Sequence, residues 1–345
     1  MRALICATAL SIVGSCSNLS NKEEIQVIKD NIVIESPNTI MKYANTITSY
    51  DLEKHLYTYA SRDFEGRGVG TKGQKKAAEY LKNYYISQDV PSPFKNDNYF
   101  QTIPKSYLGD DFNDSENVLA YIKGSEIPEE IIIVSAHLDH EGIQDGEVYL
   151  GADDDGSGTV ALLEMAQAFK EAKDAGFGPK RSILFLHTTA EEIGLQGSRY
   201  YTENPVFPIK NTVVNLNIDM IGRIDRVHEK KTKTDYLYLI GADRLSTELH
   251  YVSEAINNRF FNIELDYKFN DENDSNDFYS RSDHYNFAAK GVPVIFYFNG
   301  EHDDYHKPTD TPDKIEYGLL EKRTRLIFAT AWQLANQKNR ITVDK

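Results

Sequence analysis

The stretch ILFLHTTAEEIGL, residues 183–195, places two adjacent carboxylates, Glu191 and Glu192, shortly after an uninterrupted apolar run. Residues 183–186 have the composition of a strand that is buried on both faces of a largely parallel sheet. Two neighbouring carboxylates at the end of such a strand repel each other and lose their hydration at a high free-energy cost. A bound cation would offset that cost, whereas a solvated turn would avoid it, and the pair alone leaves both interpretations open.

Apolar runs elsewhere in the chain also end in imidazole or carboxylate side chains. After the runs 131–134, 213–218 and 293–298 these side chains are His137, Asp139, His140, Asp219, His302, Asp303, Asp304 and His306. A further acidic group, residues 153–155, precedes a predicted helix. Because ligands bind beyond the carboxyl ends of the strands in open α/β sheets, we expect these groups to converge at one edge.

Each of these groups alone has an ordinary structural explanation. A histidine at a strand end is commonly satisfied by hydrogen bonds, and residues 153–155 could simply cap the helix that follows. Together, however, the groups would crowd several uncompensated negative charges into a small volume unless a cation is bound. Imidazole and carboxylate ligands without thiolates suit zinc, and two ions that share a bridging carboxylate would use the whole set.

The alternation of strands and helices predicts an α/β fold. The predicted strands cover residues 118–122, 131–136, 182–188, 212–218, 236–240 and 293–298. The predicted helices cover residues 51–59, 71–87, 158–169, 246–258 and 317–337. This order implies a three-layer αβα sandwich around a central, twisted sheet that is mostly parallel or mixed.

Several segments, in this order along the chain, resemble the zinc aminopeptidases of peptidase family M28. They are AHLD (136–139), GADDDGSG (151–158), AEEIGLQGS (190–198), NIDMIG (217–222), SDH (282–284) and YHKPTD (305–310). The resemblance extends from residue 52 to residue 337 and implies the zinc-exopeptidase fold. It also implies a single catalytic domain, residues 46–340, because the stretch 99–130 is too short for the protease-associated domain that larger members insert there.

The resemblance further implies the metal ligands. Two zinc ions are expected per chain, with Asp154 bridging them. The other ligands divide between the ions, with His137 and Asp219 on one, and Glu192 and His306 on the other. The peptide bond that follows Asp154 is expected to be cis.

The catalytic residues that the resemblance implies are Glu191 and Asp139. Glu191 is expected to be the general base, with its carboxylate free of metal. The carboxylate of Asp139 is expected to fix the ring and the tautomer of His137 from behind. Supporting or substrate-facing roles are expected for Asp155, Asp283 and His284. Histidines interpreted as lying outside the ligand set are His140 and His302.

The implied activity is the removal of N-terminal residues from peptides with a free amino group. The dipeptidase and carboxypeptidase variants of the same chemistry remain open. Two other functions also remain open, a single-zinc acyltransferase similar to glutaminyl cyclases and a non-catalytic, receptor-like binding protein. The presence of both His137 and Asp219 favours the dizinc enzyme over the first, and retention of every ligand favours it over the second.

The composition limits the partners of the chain. Its 345 residues include 38 Lys and Arg against 53 Asp and Glu, for a net charge of −15. This balance argues against nucleic acid or an anionic membrane surface as a partner. The acidic loop 271–277 is interpreted as a solvated loop, with a weak calcium site as the alternative.

Residues 1–16 are interpreted as a lipoprotein signal segment. Residues 3–13 form an apolar stretch that is too short to span a bilayer as a helix. The run VGSC, residues 13–16, resembles a bacterial lipobox and predicts that Cys16 is lipidated, with an ordinary secretory signal as the alternative. Residues 17–45 would then form a polar tether followed by an entry segment into the fold. The protein would be exported and held by its lipid on a bacterial membrane, facing the periplasm or the cell surface.

Overall fold

One mixed sheet of eight strands organises the computed structural model, which describes residues 21–231 and 234–345. Its strands are β1 (Phe100–Ile103), β2 (Ser115–Ile122), β3 (Ile127–His137), β6 (Arg181–Thr188), β7 (Thr212–Ile218), β8 (Tyr236–Ile240), β9 (Glu264–Asp266) and β10 (Val294–Phe298). Two short strands, β4 (Ile143–Gln144) and β5 (Glu147–Val148), pair with each other outside this sheet. The spatial order in the main sheet is β1-β2-β6-β3-β7-β10-β8-β9.

The centre of the sheet is parallel. Strand β3 pairs in parallel with β6 and β7, and β7 pairs in parallel with β10. The register places His137 opposite Thr188, and Ser135 opposite Asn217. The antiparallel pairs are β1 with β2, β2 with β6, and β8 with β10. The predicted mixed, mostly parallel sheet is confirmed at its centre, and the carboxyl ends of β3, β6, β7 and β10 meet at one edge.

Ten α-helices surround the sheet in the described part of the chain. They are α1 (Asn21–Asn31), α2 (Pro37–Ala44), α3 (Ser49–Tyr59), α4 (Lys72–Ser87), α5 (Lys105–Leu108), α6 (Gly158–Ala172), α7 (Gln196–Glu203), α8 (Thr247–Phe260), α9 (His284–Ala288) and α10 (Tyr317–Asn336). Thr71 caps α4, because its hydroxyl accepts a hydrogen bond from the backbone N–H of Gln74 at 3.3 Å.

The two faces of the sheet are covered by helical layers of unequal size. Alternate residues of a strand point to opposite faces, so Ile132 and Val134 join one apolar cluster while Ile131 and Ile133 join another. The larger cluster packs against α2, α3, α4, α6, α8 and α10, and the smaller one packs against α7 and α9. Each fully buried aliphatic or aromatic side chain contributes roughly 1.5–3 kcal/mol. This arrangement confirms the predicted three-layer αβα sandwich.

The segment 17–45, interpreted as a tether followed by an entry segment, joins the packed fold at α2. Residues 17–45 have no strong apolar period, but Ile40, Tyr43 and Ala44 are buried in the larger cluster. The ring of Tyr43 stacks on Trp332 of α10 with 5.8 Å between the centroids. The packed fold therefore begins before residue 46. The sequence pattern did not show this, because the residues against which this short apolar face packs are distant in sequence.

The predicted lipidation site, Cys16, lies outside the described residues. Within residues 21–231 and 234–345, no helix combines the length and the apolar character needed to cross a membrane.

Candidate metal centre

The carboxyl edge of the sheet brings all the predicted metal ligands together. They follow β3, β6, β7 and β10 or stand in the loop before α6, and they are His137, Asp154, Glu192, Asp219 and His306. The buried strands fix the backbone at their carboxyl ends, and the ligand side chains begin there. The spatial convergence expected from the sequence is therefore present.

Asp154 faces His137 and Asp219 on one side. Nε2 of His137 lies 3.1 Å from Oδ1 of Asp154 and 3.6 Å from Oδ1 of Asp219. Tetrahedral zinc with bonds of about 2.0–2.2 Å holds neighbouring ligand atoms roughly 3.3–3.5 Å apart. The three atoms therefore fit the ligand shell of one ion, and all three side chains are almost entirely buried.

The other oxygen of Asp154 faces a second group. Nε2 of His306 lies 3.0 Å from Oδ2 of Asp154 and 3.2 Å from Oε2 of Glu192. These separations again fit ligands of a single zinc ion. Since Asp154 offers Oδ1 to one group and Oδ2 to the other, its carboxylate has the position that a bridging ligand requires.

The electrostatics of this cluster favour added positive charge. Burial opposes the protonation of His306, but Asp154 and Glu192 outweigh it and raise its pKa to about 11. Burial and Asp154 act to raise the pKa of Glu192, yet hydrogen bonds and charge from His140 and His306 lower it to about 2. The acids thus draw protons onto the imidazoles, which is the charge pattern that a divalent cation would satisfy.

Glu191 lies beside the ligand groups without joining them. Among the described residues it belongs to none of the clusters able to hold an ion, but it lines a small pocket with Asp154 and Asp219. Burial raises its pKa well above the ordinary value, and the charge of His137 opposes this shift. A carboxyl group with a raised pKa next to a candidate metal site has the properties of a general base.

Asp139 supports the site differently from the sequence prediction. Its carboxylate lies 3.9 Å from Nδ1 of His137, too far for a hydrogen bond, and the backbone carbonyl of Asp139 lies 3.2 Å from that nitrogen instead. The carboxylate accepts hydrogen bonds from the backbone N–H groups of Glu191 and Glu192 at 3.2 and 3.4 Å. The prediction that this carboxylate fixes the ring of His137 is therefore wrong. It holds the turn that carries both glutamates.

Asp155 ties three parts of the site together. Its Oδ2 accepts a hydrogen bond from the backbone N–H of His137 at 3.1 Å. Its Oδ1 accepts from the backbone N–H groups of Met220, at 3.1 Å, and Gly158, at 2.9 Å. The side chain thus supports the ends of β3 and β7 and the start of α6, in line with the supporting role expected. The peptide bond between Asp154 and Asp155 is cis, as predicted.

Asp283 and His284 lie behind the site. Asp283 is buried and accepts a hydrogen bond from the hydroxyl of Thr188 at the end of β6. His284 is fully buried, and its ring stacks on Phe296 with 4.8 Å between the centroids. Burial lowers the pKa of His284 to about 3 and keeps its ring neutral. His284 therefore does not face substrate, and the substrate-facing alternative is wrong for this residue.

Three supporting residues were not assigned a role from the sequence. The hydroxyl of Ser282 donates to Oδ2 of Asp219 at 2.6 Å and leaves Oδ1 of that carboxylate towards His137. Oδ2 of Asp310 accepts from the backbone N–H groups of Asp153 and Asp154 at 2.9 and 3.2 Å. Ser282 and Asp310 stand within the segments SDH and YHKPTD, so their position in those segments was the available signal. The third, Arg67, stands in the run EGR.

Arg67 is a buried cation at the base of the site. Its guanidinium donates to the backbone carbonyls of Leu138, Leu150 and Gly151 at 3.1, 2.7 and 2.8 Å. These hydrogen bonds connect the end of β3 to the loop that carries Asp154. Arg67 thereby fixes the backbone next to two of the ligands, His137 and Asp154.

His140 and Glu141 stand close enough to Glu192 to form further candidate groups with the ligands, whereas three other histidine or acidic sites do not enlarge the metal centre. His302, interpreted as outside the ligand set, lies 3.1 Å from Oδ2 of Asp153 and not against a ligand. A separate group, His228 with Glu264 and Asp266, already contains a cation, because Nζ of Lys231 lies 2.9 Å from Nε2 of His228. Within the described residues, the acidic loop 271–277 contributes to none of the clusters able to hold an ion.

Two cavities adjoin the ligand groups. The small pocket is lined on its apolar side by Met220, Phe278, Phe296 and Phe298. An open cleft of about 560 Å³ begins at Glu191 and Glu192. His306 and Tyr305 line both cavities and therefore stand at their boundary.

Comparisons with known proteins show what the sequence and the fold of the chain resemble. The chain resembles aminopeptidase YwaD of Bacillus subtilis, with 26% identity over 234 residues, 66% of this chain and 46% of that protein. Its fold is similar to that of BSAP, a zinc aminopeptidase from Bacillus subtilis, with 18% identity and a TM-score of 0.64 over 86% of this chain and 98% of that one. It is also similar to glutaminyl cyclase from Porphyromonas gingivalis, with 17% identity and a TM-score of 0.64 over 82% of this chain and 97% of that one.

These likenesses differ in what they show. The chain spans about half the length of the first curated relatives that it matches. The solved structures share the architecture, and at such low identity the architecture is all that they establish. Residues 117–331, more than half of the chain, match the profile described as Peptidase family M28. The chain therefore belongs to peptidase family M28.

Proposed function

We propose that this chain is a zinc-dependent aminopeptidase that binds two zinc ions. The observation that carries the proposal is the carboxylate of Asp154, whose two oxygens lie 3.1 Å from His137 and 3.0 Å from His306. A metal-free carboxylate, Glu191, lines the pocket beside both groups. Membership of the peptidase family and the likeness to an aminopeptidase support peptide hydrolysis.

The residues of the chain divide the chemistry between them. Zinc at such a site supplies a water of lowered pKa and polarises the scissile carbonyl. Glu191 takes the proton of the attacking water and returns it to the leaving amine, a transfer that contributes about 10²–10⁴-fold to the rate. Asp139 holds the backbone of Glu191, so the base keeps a fixed position relative to the ligands.

The small pocket supports the choice of an exopeptidase acting at a free amine. The acids Asp154, Glu191 and Asp219 line it and would attract an ammonium group. Phe278, Phe296 and other apolar side chains also line it, together with Arg281, whose charge is outnumbered by the three acids. We therefore propose that the pocket takes an apolar N-terminal residue, while the rest of the peptide lies in the open cleft.

The competing functions are less well supported. The fold is shared with a glutaminyl cyclase, so the architecture alone does not separate the two activities. His137, Asp154 and Asp219 lie together as a complete ligand group, which a single-zinc enzyme would not need in addition to Glu192 and His306. The complete set also argues against a binding protein without catalytic activity.

The substitution Glu191→Gln tests the proposal. The variant is expected to retain two zinc ions by elemental analysis but to lose at least about 10²-fold in turnover of aminoacyl anilides. Glu203→Gln, on the outside of α7, is the control and should keep both zinc and activity. A panel of peptides with free and acetylated N-termini completes the test. Unchanged turnover by Glu191→Gln, or equal cleavage of acetylated peptides, would contradict the proposal.

We also propose that the protein is exported and lipid-anchored through Cys16. The support is the VGSC run after a short apolar stretch. Cys16→Ser should move the protein from the membrane fraction to the soluble fraction and abolish labelling with a radioactive fatty acid. Unchanged fractionation and labelling would contradict the anchor.

A further inference from the structure

His140 is a buried histidine that directly contacts a proposed zinc ligand. It is 1% exposed, and its Nδ1 lies 2.7 Å from Oε1 of Glu192. A carboxylate can only accept hydrogen bonds, so the ring must carry a proton on Nδ1 to make this contact. The imidazole therefore donates a charge-assisted hydrogen bond to Glu192.

The two oxygens of Glu192 have different partners. Oε2 lies 3.2 Å from Nε2 of His306, a separation that fits two ligands of one zinc ion. Oε1 lies at hydrogen-bonding distance from His140, and Nδ1 of that ring is 3.8 Å from Oδ2 of Asp154. The ring thus binds the oxygen that is turned away from the ligand group. His140, Asp154 and Glu192 lie close enough together to surround an ion. The 2.7 Å between Nδ1 and Oε1 is, however, a hydrogen-bond distance, shorter than the roughly 3.3–3.5 Å between two ligand atoms of one zinc ion, and it favours a residue behind a ligand.

The backbone around His140 leaves little freedom to its ring. The N–H of His140 donates to the carbonyl of Arg67 at 3.3 Å. Gly151, with a φ of +55°, passes so close that a Cβ there would lie 2.6 Å from the ring. Arg67 also holds the carbonyl of Gly151 at 2.8 Å. The same buried arginine therefore fixes both walls of the space that the imidazole occupies.

We propose that His140 is a positioning residue that, through its Nδ1–H, orients Glu192 so that Oε2 points at the second zinc ion. This inference rests on the proposed dizinc function. It assigns a further part of the site to the segment 137–141, in which His137 is the ligand of one ion and His140 supports a ligand of the other. The interpretation of His140 as an ordinary loop histidine from the sequence is thereby replaced.

Zinc affinity, measured by competition with a chromogenic chelator on the full chain, tests this inference independently of catalysis. Removing the outer partner of a ligand typically costs about 10–100-fold in metal affinity. We expect His140→Ala to weaken the binding of one of two zinc ions by that factor and to leave the other unchanged. His140→Asn, whose amide nitrogen can occupy nearly the position of Nδ1, should recover most of the affinity.

The control is His250→Ala. His250 is also a histidine paired with a glutamate, Nε2 lying 3.5 Å from Glu254, but it stands on α8 away from the ligand groups. This variant should bind both ions like the wild type. Circular dichroism of each variant without zinc separates a loss of folding from a loss of metal affinity, and His140→Asn keeps the test open if the alanine variant does not fold.

The outcomes are distinct. Wild-type protein that binds fewer than two zinc ions would contradict the proposed function itself. Two ions in the wild type and unchanged affinity in His140→Ala would overturn the positioning role. Equal losses in the folded alanine and asparagine variants would overturn the hydrogen-bonding role, because the restored donor would then have no effect.

Discussion

The carboxylate of Asp139 accepts a hydrogen bond from the backbone N–H of Glu191 at 3.2 Å. The same carboxylate accepts from the next N–H, so it orders the turn that carries the proposed base and a proposed ligand. The ring of His137 is held by the backbone carbonyl of Asp139 and does not depend on this carboxylate. Positioning of the base and orientation of the imidazole are therefore separable by mutation.

Asp139→Asn should reduce turnover while leaving zinc bound to His137. The amide offers one oxygen where the carboxylate offers two, so one N–H of the turn loses its acceptor. We expect kcat to fall about 10–100-fold, the range typical of outer partners of a metal site. Steady-state kinetics and zinc analysis of the purified variant check this. Loss of zinc as severe as in His137→Ala would show that the carboxylate does orient the ring.

Removing zinc should destabilise the protein strongly. In Asp154→Ala most of this dependence of stability on zinc should be lost. A ligand at 1,000 times its Kd stabilises the folded state by about 4 kcal/mol. Asp154 lies between both ligand groups, so its loss weakens both sites. Thermal unfolding with and without a chelator is the measurement. An equal chelator-induced shift in the wild type and in Asp154→Ala would contradict the bridging role.

Arg67→Ala should lower the free energy of unfolding by roughly 3 kcal/mol or more. Four backbone carbonyls, those of Tyr59, Leu138, Leu150 and Gly151, would each lose the hydrogen bond from the guanidinium, and a buried hydrogen bond is worth about 1 kcal/mol. Arg67→Lys should recover only part of the lost free energy of unfolding, since an ammonium lacks the planar fork of donors. Urea unfolding of both variants is compared with Arg62→Ala, an exposed control expected within about 0.5 kcal/mol of the wild type.

Acid should destabilise the protein partly through His284. Its pKa is lowered by burial to about 3 in the folded state, against about 6.5 when unfolded. Its stabilising contribution is therefore complete above pH 6.5 and is lost as the pH falls towards 3. From pH 7 to pH 5 the free energy of unfolding lost through His284 is about 2 kcal/mol. Between pH 7 and pH 5, the free energy of unfolding of His284→Leu, measured with urea, should therefore fall by about 2 kcal/mol less than that of the wild type. An equal fall in the variant and the wild type would contradict the lowered pKa of His284.

Phe278→Ala should change which N-terminal residue is preferred. The ring of Phe278 lies 5.0 Å from that of Phe298, and both line the small pocket. Truncation would enlarge the apolar end of the pocket, so kcat/KM for N-terminal phenylalanine should rise about tenfold relative to alanine. An unchanged ratio of the two values would show that this pocket does not receive the N-terminal side chain.

Local signals were sufficient to predict the central strands and the gathering of polar side chains at their carboxyl ends, whereas the choice of ligands among those side chains came from the resemblance to the family. An apolar run such as 131–134 marks a strand buried on both faces, and a polar side chain at its end marks the edge of the sheet. The role of Ser282 has no such signal, because it arises from contact with Asp219, 63 residues away. The same holds for His140, whose partner Glu192 is 52 residues distant. Contacts of this kind become visible only when the strands have been placed side by side.

The packing of Tyr43 on Trp332 has a practical consequence for producing the protein. A recombinant chain that begins at residue 46 would lack Ile40, Tyr43 and Ala44 and would leave an apolar strip of α10 in water. Such strips promote self-association, so that shortened chain should precipitate at concentrations where a chain starting at residue 21 stays monodisperse.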